Sequence, residues 1–207
     1  MRLGVACLAL LLAACATEPM RRVALDQGCA SSVAQLIAHP AFVPDAAKPK
    51  LKPKQAQFAD YAACVERDGT RTGAALFRID QVAPPSTLTL TIVSDSRGTL
   101  AARIELLDAD FNPVRSHGFD DFVRRGMQYT LDMFHNVGDP PIRYLLVSPD
   151  PARVGGVDQH FGAQTQTLFV GTGYYNHGVE SVSSRPLGDA GTLIVSVRPQ
   201  GSAPLKY

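Results

Sequence analysis

Apolar and polar residues alternate with a period of two over much of the chain after Gly73, which is the pattern of half-buried strands. Thr87-Leu88-Thr89-Leu90-Thr91-Ile92-Val93 is the clearest run, with threonine on one face and aliphatic residues on the other. One face is expected to be buried and the other wet. Ala74 to Ile79, Ala102 to Leu107, Val114 to Ser116, Tyr129 to Phe134, Thr165 to Val170 and Thr192 to Val197 read as further strands. Arg143 to Ser148 is almost continuously apolar, which suits a central strand. Proline, glycine and aspartate clusters such as Asp139-Pro140-Pro141 and Gly188-Asp189-Ala190-Gly191 punctuate these runs. The pattern predicts a mainly β chain. Its domain, over 73–198, is expected to be an antiparallel β-sandwich or jelly-roll-like fold of about eight strands.

The segment before it, 29–72, has a different texture. Ser31 to Ala38 predicts a short helix, with Ser31 or Ser32 able to cap it and His39-Pro40 ending it. Ala56 to Val65 places Phe58, Tyr61, Ala62 and Val65 on one helical face and reads as helix, with an edge strand as the alternative. Between them Lys48-Pro49-Lys50-Leu51-Lys52-Pro53-Lys54 predicts an extended basic spacer, because its lysines repel and its prolines favour polyproline geometry. Residues 15–28 read as a tether and 199–207 as a loose polar tail.

The first residues set the compartment. Met1-Arg2 is a positive start, and Leu3 to Leu12 an apolar run. Even extended through Ala13-Ala14 the run is shorter than the ~20 residues a membrane helix needs. Leu11-Leu12-Ala13-Ala14-Cys15 reads as a lipobox, so 1–14 is expected to be a signal peptide and Cys15 the lipidated first residue of the mature chain. Ala16 after the cysteine suits retention at the periplasmic face of the bacterial outer membrane. The expected partner there is the membrane itself, through the lipid.

Charge and cysteines narrow the picture. Cleavage removes Arg2 from 20 basic and 19 acidic residues and leaves the two signs balanced. Nothing in that balance favours nucleic acid. Of four cysteines, Cys7 leaves with the signal and Cys15 takes lipid, leaving Cys29 and Cys64. In an envelope compartment these are expected to form a disulfide, the alternative being two free buried thiols.

Chemical motifs are few. Asp108-Ala109-Asp110-Phe111-Asn112 matches the first half of a calcium loop, but Pro113 stands where the loop needs glycine and Phe119 where it needs a bidentate glutamate. It reads as an Asp-led turn. Asp158, His160, His117, His135 and His177 are too irregularly spaced for a metal site. No nucleophile elbow, HExxH or phosphate loop occurs. No catalytic residue, cofactor or metal is therefore expected. Tyr174, Tyr175, Asn176 and His177 lie in a glycine-framed loop or strand end. They are the candidate ligand contacts, because aromatic faces beside polar groups suit a sugar ring or a peptide.

Several of these runs together resemble the maltose operon periplasmic protein family, over residues 73–198. The resemblance is carried by Gly73 to Ile79, Leu88 to Thr91, the strand, turn and proline of Ile104 to Val114, Arg143 to Val147, and Thr192 to Val197. The lysine-proline spacer and the Tyr-Tyr-Asn-His stretch depart from the family pattern. The resemblance implies a non-catalytic envelope protein accessory to maltodextrin or other carbohydrate transport, with no family catalytic residues to carry over. The alternatives are a structural or assembly lipoprotein that binds another envelope protein, and an envelope hydrolase.

Overall fold

A computed structural model describes residues 20–26, 28–44, 53–80, 82–95 and 98–200 of the chain. Cys15, most of the lysine-proline spacer and the tail beyond 200 lie outside the described residues. The chain is mainly β, with strands β1 (Ala38–Pro40), β2 (Ala56–Gln57), β3 (Ala62–Arg67), β4 (Thr70–Arg78), β5 (Ser86–Val93), β6 (Thr99–Leu100), β7 (Ala102–Leu107), β8 (Pro113–His117), β9 (Val123–Arg125), β10 (Gln128–His135), β11 (Tyr144–Pro149), β12 (Val157–Val170), β13 (Gly173–Gly188) and β14 (Thr192–Pro199).

One sheet runs β1-β4-β11-β7-β8, with β3 also paired to β4. A second runs β2-β14-β5-β10-β9, and a third runs β12-β13-β6. The apolar run of β11 does lie inside its sheet, between β4 and β7. The first two sheets share one core. Phe77, Ile104, Leu106, Leu145 and Val147 of the first meet Leu88, Leu90, Ile92, Leu131 and Val195 of the second, all of them buried.

The sheets draw on more of the chain than 73–198. β1, β2 and β3 all precede residue 73 and pair into the two sheets. The helix expected over 31–38 is a single 3-10 turn, Val33–Gln35, with no side-chain cap from Ser32. Ala38–Pro40 goes instead to the edge of β4, alongside Leu76–Arg78, where extended backbone gains ladder pairing. The helix read into 56–65 is likewise replaced. It becomes β2, a 3-10 turn at Phe58–Asp60, and β3. The cause is the two-residue turn Asp68-Gly69, with φ of 51° and 73°, which folds β3 back onto β4.

The threonine face of β5 is not wet at its centre. Thr89 is 3% and Thr91 1% exposed. β5 lies between β14 and β10, and the Thr89 hydroxyl donates to Asp132 Oδ1 on β10 at 2.6 Å. The expected tether is also docked where it is described. The Arg21 guanidinium pairs with Asp60, Arg21 N donates to Gln57 Oε1 at 2.8 Å, and Val23 packs on the core. A Cβ on Gly73 would stand 2.9 Å from Val23 Cγ2, so glycine lets this segment lie close.

The third sheet is mostly a long hairpin. β12 and β13 pair at fourteen successive positions, from Val157 opposite Pro186 to Val170 opposite Gly173. The turn is Gly171-Thr172, and Gly171 has φ 62°, the left-handed conformation that a primed hairpin turn needs at its first position. We call this hairpin the arm.

Candidate functional site

The face of the six-stranded sheet turned away from the main core is divided in two. At one end Val65, Ala74, Leu76, Leu107 and Leu146 form a small apolar cluster, closed by Leu36 from the N-terminal segment. The Cys29–Cys64 disulfide holds that segment down, with the two Cα atoms 4.6 Å apart. Beside it Ala30 N donates to Cys64 O at 3.0 Å, and Glu66 N donates to Ala30 O at 2.9 Å. The bridge expected between Cys29 and Cys64 is present, and it belongs to this packing.

At the other end the same sheet carries polar groups around a cleft of about 570 Å³. Glu105 is central to it. Its neighbours Ile104 and Leu106 point into the main core, so strand alternation turns Glu105 outward. It is nonetheless only 6% exposed. Two arginines cover it: Arg67 Nη1 donates to Oε2 at 2.9 Å, and Arg103 Nε lies 3.5 Å from Oε1. A carboxylate withdrawn from water needs such pairing, since unpaired it would cost several kcal/mol. Both arginines keep partial access to solvent.

The lining is electrically balanced. Arg67, Arg71 and Arg103 stand against Asp68, Glu105 and Asp189. Thr70, Thr72 and Ser148 add hydroxyls, and Val23, Leu25, Pro149, Pro151 and Val154 supply apolar wall. The site therefore offers donors and acceptors without a net field. A larger groove of about 790 Å³ follows the seam between the N-terminal segment and β3, past the disulfide. Small residues line much of it, and its polar groups do not converge as those around Glu105 do.

The residues singled out in the sequence lie elsewhere. Of loop and strand end, the structure takes the second: Tyr174, Tyr175, Asn176 and His177 lie at the start of β13, just past the tip of the arm. Tyr174 is 73% exposed, and the side chains of residues 175–177 lie outside the described ones. Asp108 serves its turn. Its Oδ1 accepts the N–H groups of Asp110 at 2.8 Å and Asn112 at 2.9 Å. The hydrogen bond from the Asn112 backbone is the main cause that holds its carboxyl below the usual value of 3.8. Phe111 takes φ 63° within that turn.

Asp158 is committed to the base of the arm rather than to a metal. Its Oδ2 accepts from Tyr129 Oη at 2.5 Å and from Arg124 Nη1 at 3.0 Å. Arg124 Nη2 also donates to Ser183 Oγ at 3.0 Å, and its guanidinium lies 5.9 Å from the centre of the Tyr129 ring. Burial, followed by the Asp158 carboxylate, pushes the Tyr129 phenol up to about 12. Among the described residues no group of three or more His, Cys, Asp or Glu could hold a metal ion.

Local sequence did not reveal the cleft, because Arg67 and Glu105 are 38 residues apart. Its one visible trace is a glutamate inside the apolar run Ile104 to Leu107. The chain matches no protein-family model, no curated protein and no solved structure.

Proposed function

We propose that this chain is a non-catalytic envelope lipoprotein that holds a neutral, hydroxyl-rich ligand of the maltodextrin class in the cleft around Glu105. The observation that carries this reading is the balanced lining, three arginines and three carboxylates around about 570 Å³. Sugar hydroxyls both donate and accept, so such a ligand uses the guanidinium donors and carboxylate acceptors at once. An ion of either sign would meet like charge as well as unlike. The volume falls within the roughly 300–1,000 Å³ usual for small-molecule sites, and the apolar wall suits the non-polar face of a sugar ring.

The resemblance to the maltose operon periplasmic protein family supports the same ligand class and a place beside carbohydrate transport. The lipobox supports lipid on Cys15 and a position at the periplasmic face of the outer membrane. Two sheets around one core support an antiparallel sandwich of jelly-roll-like kind. Calorimetric titration of the chain with maltotriose and longer maltodextrins tests the ligand. Binding that weakens about tenfold in Arg103→Ala is the expected result, equivalent to about 1.4 kcal/mol. Absence of both heat and thermal shift at millimolar sugar overturns the reading.

A further inference from the structure

The arm carries a surface that the cleft does not explain. At about 3.4 Å per residue, its fourteen paired positions extend over roughly 45 Å. Among the described residues β12 pairs with β13 alone, and β13 meets β6 only at Leu187–Gly188. A two-stranded ribbon by itself is marginal in water and needs something to pack on.

Its two faces differ. Asp158, Ser183 and Arg185 lie on one face and hold the protein body: Asp158 and Ser183 bond Arg124, and Arg185 Nη2 lies 2.8 Å from Met127 Sδ. The register puts Val157, Phe161, Phe169, Tyr174 and Val182 on the other face, with Phe161 opposite Val182 and Phe169 opposite Tyr174. All five are more than half exposed, Phe169 reaching 82%. They make up five of the twelve large apolar side chains exposed among the described residues, so this exposure is concentrated rather than scattered.

We infer that this face is covered by the same face of a second copy of the chain, the two arms stacked antiparallel about a two-fold axis. The pattern is self-complementary. One aromatic pair lies near the base and one near the tip, eight residues apart, or about 27 Å along a strand. In an antiparallel stack, Phe161 and Val182 of one copy cover Phe169 and Tyr174 of the other, and the reverse holds at the far end. That reciprocity is what an isologous interface requires.

Charge permits it: between the two aromatic pairs this face has one charged register position, Glu180 opposite Ala163, and the antiparallel stack aligns that position with Thr167 and Asn176 of the other copy, so like charges do not oppose each other across the axis. Area permits it too. Three aromatic side chains per copy, at ~150–250 Å² each, give two copies about 900–1,500 Å², a range that spans the ~1,200 Å² at which specific interfaces begin. A lipid surface would engage the tip pair and leave Phe161 and Val182, beside the body, uncovered. The inference is independent of the cleft and its ligand.

A photo-crosslinking amino acid at position 169 of the full chain, expressed in cells, tests it. The expected product has twice the chain mass, with the crosslink mapping near Phe161 or Val182 of the other copy. The distant substitution Phe161→Ser is expected to weaken association by roughly a hundredfold, because two buried phenylalanines are lost per dimer. Unchanged circular dichroism shows that the variant still folds. Crosslinks to lipid or to a different protein, crosslinks unaffected by Phe161→Ser, or monomer alone overturn the inference.

Discussion

Tyr129 on β10 donates its phenolic proton to Asp158 on β12, and through this contact the core sheet grips the base of the arm. The Tyr129 side chain is buried and its ring packs against Phe119 at 5.1 Å. Tyr129→Phe keeps the ring and removes the donor. It is expected to lower stability by about 1.5–3 kcal/mol, the range for a hydrogen bond to a charged group. Chemical denaturation at neutral pH measures this.

The same phenol gives the protein an alkaline sensitivity. Its folded value, near 12, lies above the usual 10, so folding favours the protonated form. That stabilisation is fully present below pH 10 and is lost as pH rises from 10 toward 12. Wild type should therefore lose more stability than Tyr129→Phe across that window. Equal slopes in urea melts through it would contradict this account.

Asp108 acts at the opposite end of the scale. Its carboxyl is depressed by hydrogen bonds from its own turn, so its contribution is present above the ordinary carboxylate value and fades as pH falls through the lowered one. Asp108→Ala should lower the melting temperature at pH 7 and match wild type once both carboxyl forms are protonated. Thermal melts from pH 7 to pH 2 follow the convergence.

Around Glu105 the two sides of the ion pair are unequal. Arg67→Ala strips one partner from a carboxylate that is 6% exposed and should cost about 1–3 kcal/mol. Glu105→Gln leaves two arginines that water still reaches, and should cost less than about 1 kcal/mol. Denaturant midpoints of the two variants give the comparison, and an equal loss would mean that Glu105 is not effectively withdrawn from water.

The disulfide closes a loop with a sequence separation of 35. Chain entropy assigns such a loop about 4 kcal/mol. Reduction, or Cys64→Ala, should lower stability by that order and first loosen the segment that packs Leu36 over Val65 and its neighbours. Hydrogen exchange at Ala30 N and Glu66 N, which bracket the bridge, reports the loosening locally.

How much of this could be read from the chain depends on the range of the interaction. β5 and β10 announce themselves, since a strand with one face toward the core writes its alternation into consecutive residues. β11 is equally plain from its unbroken apolar run. β3 was legible in principle, because Asp68-Gly69 is a strong primed-turn signal, but the helical spacing of Phe58, Tyr61 and Val65 competes with it. The wet face expected for β5 fails because the neighbours that bury Thr89 and Thr91 come from distant strands. The length of the arm is hidden by Gly173-Tyr174-Tyr175-Asn176-His177-Gly178, whose glycines suit a loop as well as a strand end, although the turn is Gly171-Thr172. The cleft has no local signature at all: Glu105 meets Arg67 only once β3, β4, β11 and β7 are assembled.

The docking of Arg21 onto Asp60 also sets a leash length. With the proposed lipid on Cys15, five residues, and so six Cα–Cα steps, separate the anchor from the docked Arg21. Fully extended, they span about 20 Å. A lipid there would hold the body close over the headgroups, with little reach from swinging on its anchor. The arm is more than twice as long as the leash. On an anchor that short, what the arm meets would depend on how the body is turned toward the membrane.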